Sequence, residues 1–141
     1  MGGGQVTIDD QPDDQALRFI REQLVAYNLA TVGAEDVRQV AFVLRDADGA
    51  IVGGLSGWTW GGCLEVSLLW VHEAWRGRGY GAHLLQLAEQ TAIAQGCRQV
   101  VLDTFSFQAP AFYQRHGYEI AGVFDNFPAG HQKYFLRKEL R

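Results

Sequence analysis

The chain has 141 residues, 48% of them apolar and 20% charged, with a formal net charge of −4; this is the size and balance of a single globular domain, 1–141, with its own core. The acidic balance argues against a nucleic-acid partner. No run approaches the ~20 apolar residues of a membrane span, and the first residues lack a basic-then-apolar signal pattern, so a cytoplasmic location is expected.

Met1-Gly2-Gly3-Gly4 carries no fold signal, and the alternation over residues 5–8 suggests a short first strand. Asp9-Asp10-Gln11-Pro12-Asp13 reads as a helix start, acidic with an early proline. Leu17, Ile20, Leu24 and Tyr27 then recur at helical spacing, predicting a helix that ends near residues 26–28. Residues 29–37 are ambiguous, with a short second helix at 34–37 as one solution. Strands are predicted at 39–45 and 51–60, joined by the hairpin turn Asp46-Ala47-Asp48-Gly49, and Gly61-Gly62 turns the chain into a third at 64–71. A helix follows from about 79 to 95, with Leu84, Leu85, Ala88, Ala92 and Ile93 on one face and Gly96 at its C-terminal end. The strand 99–104 completes a right-handed β-α-β unit with 64–71. A short helix at 109–116 and strands at 118–124 and 131–140 end the chain.

Between the strand at 64–71 and its helix lies Arg76-Gly77-Arg78-Gly79-Tyr80-Gly81. Three glycines in six residues let the backbone aim its N–H groups at one point. The following helix adds unpaired amides and the positive end of its dipole, and the combination suits the phosphates of a nucleotide cofactor. Two phosphate-binding readings compete. Gly77-x-Gly79-x-x-Ala82 formally fits a dinucleotide fingerprint, with Asp103 at the end of the next strand as the ribose acid. Against an NAD-binding oxidoreductase, five residues separate the strand from the first glycine, and the preceding strands come as hairpins.

The better match is Arg76-x-x-Gly79-x-Gly81, which resembles the Arg/Gln-x-x-Gly-x-Gly/Ala loop of the GNAT acetyltransferase superfamily. Ala109-Pro110-Ala111-Phe112-Tyr113-Gln114-Arg115-His116-Gly117-Tyr118 also resembles that superfamily's Ala-x-x-aromatic-Tyr-x-x-x-Gly-aromatic segment. The resemblance implies a mixed α/β fold: a curved six- to seven-stranded sheet, about four helices, and a central crossover whose fourth and fifth strands (64–71 and 99–104) splay apart. It implies an acetyl-CoA-dependent N-acetyltransferase. The diphosphate of the cosubstrate would rest on the amides of Arg76, Gly77, Arg78, Gly79, Tyr80 and Gly81, with charge from Arg76 and Arg78. Its pantetheine arm would pair with the backbone near Trp70 and Val71. Ser106 stands where many members have an asparagine that contacts the cofactor. Homodimers are common in the superfamily, and a homodimer is left open. A non-catalytic acyl-CoA sensor is the alternative of another class.

Direct transfer needs a neutral amine, a polarised carbonyl and a proton for the leaving thiolate. The resemblance makes Tyr113 the acid, and a phenol with an ordinary pKa near ~10 is well matched to a thiol product. It offers Glu65 as a base working through water, with another residue or water itself as alternatives and an exposed strand-edge carboxylate as its plain reading; Glu65, Ser67 and Leu69 are expected on one face of the strand and Leu68 and Trp70 on the other. His72, His116 and His131 read as surface or packing residues. Asp125 is a further candidate for holding an acceptor ammonium; Asp103, at the end of its strand, is another, with a helix-capping or turn role as the favoured alternative. Trp58 and Trp60, with Phe107, Phe124 and Phe127, line either an acceptor channel or the core. Cys63 and Cys97 show no metal-ligand spacing and match no motif position; they are expected to be buried reduced thiols, with no metal and no covalent enzyme intermediate. The expected acceptor is a primary amine, a small molecule in preference to a protein lysine or N-terminus.

Overall fold

A computed structural model describes residues 4–33 and 36–141. The chain divides into two compact units, Met1–Glu35 and Asp36–Arg141. In the first, helix α1 spans Asp14–Val32. Asp13 caps it, its carboxylate accepting from the Ala16 N–H at 2.8 Å, and Gly33 ends it in the left-handed region with φ 71°, its N–H donating to the Leu29 carbonyl. The helix runs past the stop expected at 26–28, because nothing in Leu29-Ala30-Thr31-Val32 breaks it before that glycine. Residues 5–8 form no strand; four alternating residues offer too few ladder bonds to offset the cost of ordering them. Of the short helix expected at 34–37, residues 34 and 35 lie outside the described residues and 36–37 are not helical.

The second unit is a six-stranded sheet with two α-helices: β1 (Arg38–Arg45), β2 (Ile51–Trp60), β3 (Cys63–Val71), α2 (Tyr80–Ala94), β4 (Gln99–Phe105), α3 (Pro110–Arg115), β5 (Glu119–Asp125) and β6 (Gln132–Glu139). Strand order is β1-β2-β3-β4-β6-β5. Every neighbouring pair is antiparallel except β3 and β4, which are joined by the α2 crossover. Thus the described residues hold six strands and three α-helices, against the six to seven strands and about four helices expected.

Helix α2 buries Leu84, Leu85, Ala88 and Ala92 against Val40, Leu55, Leu64, Val66, Val100, Leu102 and Leu136 of the sheet. Ile93, expected on the same face, falls outside that stripe and stays 45% exposed. A three-way contact ties α2 to the far edge. Glu89 accepts from the Tyr118 hydroxyl at 2.9 Å and from Lys138 Nζ at 2.7 Å.

One irregularity positions everything that follows. On β3, Val66 pairs with Gly57 and Leu68 with Ser56, so Ser67 is the extra residue of a β-bulge. Before it, Leu64 and Val66 point into the core; after it, Leu69 and Val71 do. Glu65 therefore shares the outward face with Leu68 and Trp70, which corrects the uniform alternation expected from the sequence. The bulge draws β2 and β3 so close that a Cβ on Gly57 would lie 2.3 Å from the Glu65 carbonyl oxygen.

Candidate active site

The parallel ladder between β3 and β4 has four pairs, from Cys63–Gln99 to Val66–Leu102, and stops at the bulge. Beyond it β3 runs on to Val71 and β4 to Phe105 without pairing, and a gap opens between two strands that remain hydrogen-bonded on their outer sides. This is the splay expected between 64–71 and 99–104. The His72 N–H donates to Val52 on β2 at 2.7 Å. By antiparallel alternation Trp70 spends its backbone groups on Gly54, whereas Leu69 and Val71 turn theirs toward the gap. Of the two residues expected to offer backbone bonds, Val71 turns its groups to the gap, its carbonyl accepting from Arg76 Nε, and Trp70 is engaged on β2.

A one-turn helix, Glu73–Trp75, carries the chain from β3 into the glycine loop, with His72 Nδ1 accepting from the Ala74 N–H. Gly77 and Gly79 take φ values of 74° and 85°, conformations open to glycine at little cost. Gly79 is the N-cap of α2 and lays no side-chain oxygen over its first turn, which also lacks an acidic residue. The Tyr80, Gly81 and Ala82 amides consequently have no acceptor within the helix. Gly81 sits at the meeting point of three elements, where an added Cβ would lie 3.5 Å from Phe112 of α3 and 3.9 Å from Val71.

The loop arginines have more specific duties than the sequence suggested. Arg76 Nε donates to the Val71 carbonyl at 2.8 Å, tying the loop to the free end of β3, and its N–H donates to the Glu73 carbonyl at 3.3 Å, which removes the Arg76 amide from the set expected at 76–81. Arg78 lies over the Trp75 ring, 5.0 Å from its centroid, and Trp75 meets Tyr80 edge-on.

Tyr113, on α3, is 7% exposed, wedged edge-on between Phe112 and Tyr118. Burial, with a smaller contribution from the Asp103 carboxylate, pushes its phenol up to about 12. The hydroxyl makes no hydrogen bond among the described residues, and no fully buried side-chain oxygen or nitrogen there lacks a partner, so this oxygen reaches open space. Ser106 closes the turn after β4: its N–H donates to the Gln132 carbonyl and its Oγ accepts from the Gln132 N–H at 3.0 Å. That leaves the Ser106 hydroxyl proton free to donate elsewhere.

Glu65 stands opposite Trp58 and Val101 in the paired part of β3, and Asp103 stands one outward position further along β4, beyond the last ladder pair. Asp103 faces Lys133 at 3.8 Å. Trp58 and Trp60 pair with Glu65 and Cys63, at the closed end of the β3–β4 ladder, so they do not share a wall with Phe107 and Phe127 near the end of β4. Phe124 joins the latter group through Phe135, 5.2 Å between ring centroids. His116 packs on Phe112 and His131 on Phe107. Asp125 ends β5, where it pairs with Gln132. Lys133 gave no signal in the sequence. Cys63 and Cys97 are free; Cys97 is buried as expected but Cys63 only half-buried, and desolvation pushes both thiols up, with Cys97 and then Glu65 adding to the effect on Cys63. A thiol held protonated is a poor nucleophile. Among the described residues no group of three or more His, Cys, Asp or Glu is placed to hold a metal.

Comparison with known proteins agrees with this geometry. Residues 8–118 match the model of the acetyltransferase (GNAT) family. Acetyltransferase Atu2258 of Agrobacterium fabrum is 38% identical over 131 residues, covering 93% of this chain and 96% of its own. Blasticidin-S acetyltransferase of Streptomyces morookaense is 43% identical over 96 residues, 65% of this chain and 68% of its own. Among solved structures, an acetyltransferase from Bacillus cereus superposes with a TM-score of 0.83 at 34% identity, covering 95% of this chain and 98% of that one.

Proposed function

Because the chain belongs to the GNAT acetyltransferase family, and is thus an acyltransferase, we propose that it moves the acetyl group of acetyl-CoA to a small-molecule primary amine. The observation that carries this is the coincidence of two features on one strand. The β3–β4 ladder ends at Val66–Leu102, and the same strand leads through the glycine loop to the uncapped amides of Tyr80, Gly81 and Ala82. The relative named for blasticidin-S supports a small molecule in preference to a protein. The family match runs across both units, which supports one transferase domain over the chain.

Acetyl-CoA supplies the activated thioester, and the chain's own residues do the rest. The amides of Tyr80, Gly81 and Ala82 and the dipole of α2 hold the diphosphate, and Gly79, without a side chain at that point, leaves them uncovered. The backbone of Leu69 and Val71 offers ladder groups to the extended arm, with Arg76 locking the end of that edge. The Ser106 hydroxyl, in the turn after β4, keeps its proton to donate to the arm. Tyr113 keeps its proton at any working pH and gives it to the departing thiolate as the amine nitrogen forms its bond to the carbonyl carbon. The amine's own proton passes to a carboxylate. Asp103, at the gap, receives it directly or through water, and Glu65 lies one outward position behind. With both cysteines held as thiols, the attack is direct.

The test is thiol release from acetyl-CoA with a panel of amines, on the wild type and Tyr113→Phe. Turnover that falls by about 10²-fold or more in the variant, with coenzyme A affinity retained, supports the reading. Tight coenzyme A binding without turnover of any amine would replace it with an acyl-CoA sensor.

A further inference from the structure

On the outward face of β4 and β6, Asp103 stands opposite Phe135 and Phe105 opposite Lys133. Lys133 Nζ lies 4.8 Å from the ring centroid of Phe127 and 5.5 Å from those of Phe105 and Phe135. Phe107 stacks on Phe105 at 5.3 Å and extends the wall. The lysine side chain is only 21% exposed. Ring faces compensate its charge, but they do not replace hydrogen-bond acceptors. The nearest carboxylate oxygen, on Asp103, is 3.8 Å away, beyond hydrogen-bond reach. The Lys133 ammonium makes no hydrogen bond among the described residues, and neither does the Asp103 carboxylate. An ion pair left this long while its ammonium is largely stripped of water has donors to spare on one side and acceptors on the other.

Three ligand classes can be compared against that arrangement. A simple amine satisfies Asp103 and leaves the Lys133 donors unused. A dication is repelled by Lys133, and an anion alone is repelled by Asp103. A molecule with both charges on neighbouring atoms satisfies the pair, and the exposed rings of Phe107 and Phe127, 57% and 47% accessible, offer contact to an apolar body. Asp103 also lies within electrostatic range of the Tyr113 hydroxyl, which ties the pair to the reacting end of the gap.

We propose that Lys133 and Asp103 form the receptor of a zwitterionic acceptor, an α-amino acid with an apolar or aromatic side chain. Lys133 takes the carboxylate, Asp103 the amine, and Phe105, Phe107 and Phe127 the side chain. This rests on the acetyltransferase reading for its purpose but not for its measurement. Calorimetric titration in the presence of coenzyme A compares L-phenylalanine, phenethylamine and 3-phenylpropionate on the wild type, Lys133→Met and Lys133→Arg. L-phenylalanine is expected to bind about tenfold or more tighter than either single-charge analogue, the scale of one charge-assisted hydrogen bond. That preference falls to within about twofold in Lys133→Met and persists in Lys133→Arg. Equal affinity of all three for the wild type, no binding of any of them, or an undiminished preference in Lys133→Met would overturn the proposal. Because binding is read without turnover, an enzyme that acetylates other amines but ignores phenylalanine refutes only this receptor. One that binds phenylalanine as described without acetylating any amine refutes only the catalytic reading.

Discussion

Gly57→Ala tests the architecture at its narrowest point. A Cβ there would sit 2.3 Å from the Glu65 carbonyl oxygen, 3.2 Å from its carbon and 3.1 Å from Val66 Cα, all of them backbone atoms with no rotamer to retreat into. Relief requires β2 and β3 to separate at the bulge, between the buried Leu55 and Val66. Overpacking typically costs 1–3 kcal/mol; with a rigid obstacle this close, the upper end, about 3 kcal/mol, is expected. Gly122→Ala on β5 is the control, since its Cβ would meet nothing within 4 Å and its φ is not positive. That substitution should be neutral or add up to ~1 kcal/mol through the unfolded chain. Urea unfolding followed by tryptophan fluorescence, with Trp58, Trp60 and Trp70 on the two strands concerned, measures both. Coenzyme A affinity should fall with Gly57→Ala as well, because the bulge sets where the β3–β4 gap opens. A Gly57→Ala stability within ~0.5 kcal/mol of the wild type would refute the claim that the bulge holds the strands at contact distance.

Gly79→Val forces a β-branched residue to φ 85° at the N-cap of α2; coenzyme A affinity should drop by about tenfold or more, measured by calorimetry, while thermal stability falls only modestly. The fold favours the neutral Tyr113 phenol, so its contribution to stability is complete below the ordinary tyrosine range near pH ~10 and is lost as pH rises through about 12. Turnover under acetyl-CoA saturation should accordingly show no falling limb from this group at pH ~10, and Tyr113→Phe should leave the alkaline profile flat at a lower rate. Glu89→Ala strands the Lys138 ammonium and the Tyr118 hydroxyl, and unfolding stability should drop by about 2–3 kcal/mol, below the full buried-pair figure because Lys138 is 28% exposed. Asp103→Asn should lower kcat/KM more than Glu65→Gln does, by about tenfold or more; the reverse order in steady-state kinetics would put the base on β3.

Local chemistry made the loop legible in the sequence. Gly77, Gly79 and Gly81 announce themselves within six residues, and the helix that follows has a four-residue buried stripe readable from spacing alone. The β-α-β crossover follows from the same stretch. What failed did so because the signal lay elsewhere in the chain. The faces of β3 were misassigned because Cys63-Leu64-Glu65-Val66-Ser67-Leu68 looks like a uniform strand, and the bulge at Ser67 is written in its partner. Gly53, Gly54 and Gly57 in the middle of β2 mark the close approach. Composition alone does not separate Trp58 and Trp60 from Phe107 and Phe127; the register of β2 on β3 does, carrying the tryptophans to the other end. Lys133 was invisible because its cage is built from residues 105, 127 and 135, brought together only by strand pairing and a turn.

The bulge also explains why the two sides of the gap differ in character. Strand β3 gains a residue at Ser67 and bends away from β4, so beyond that point its outward side chains are Leu68 and Trp70 and its free edge is backbone. Strand β4 has no such insertion; its register with β6 is unbroken from Gln99 to Phe105, and its outward series Val101, Asp103, Phe105 continues straight to the opening. One wall of the gap thus presents main-chain groups, which suit an extended and repetitive arm, and the other presents side chains, which suit discrimination among acceptors. On the proposed function, substitutions on β4 and β6 should change which amine is chosen while β3 and the glycine loop hold the same donor. The proposed separation of donor binding from acceptor choice then follows from only one of the two strands being bulged.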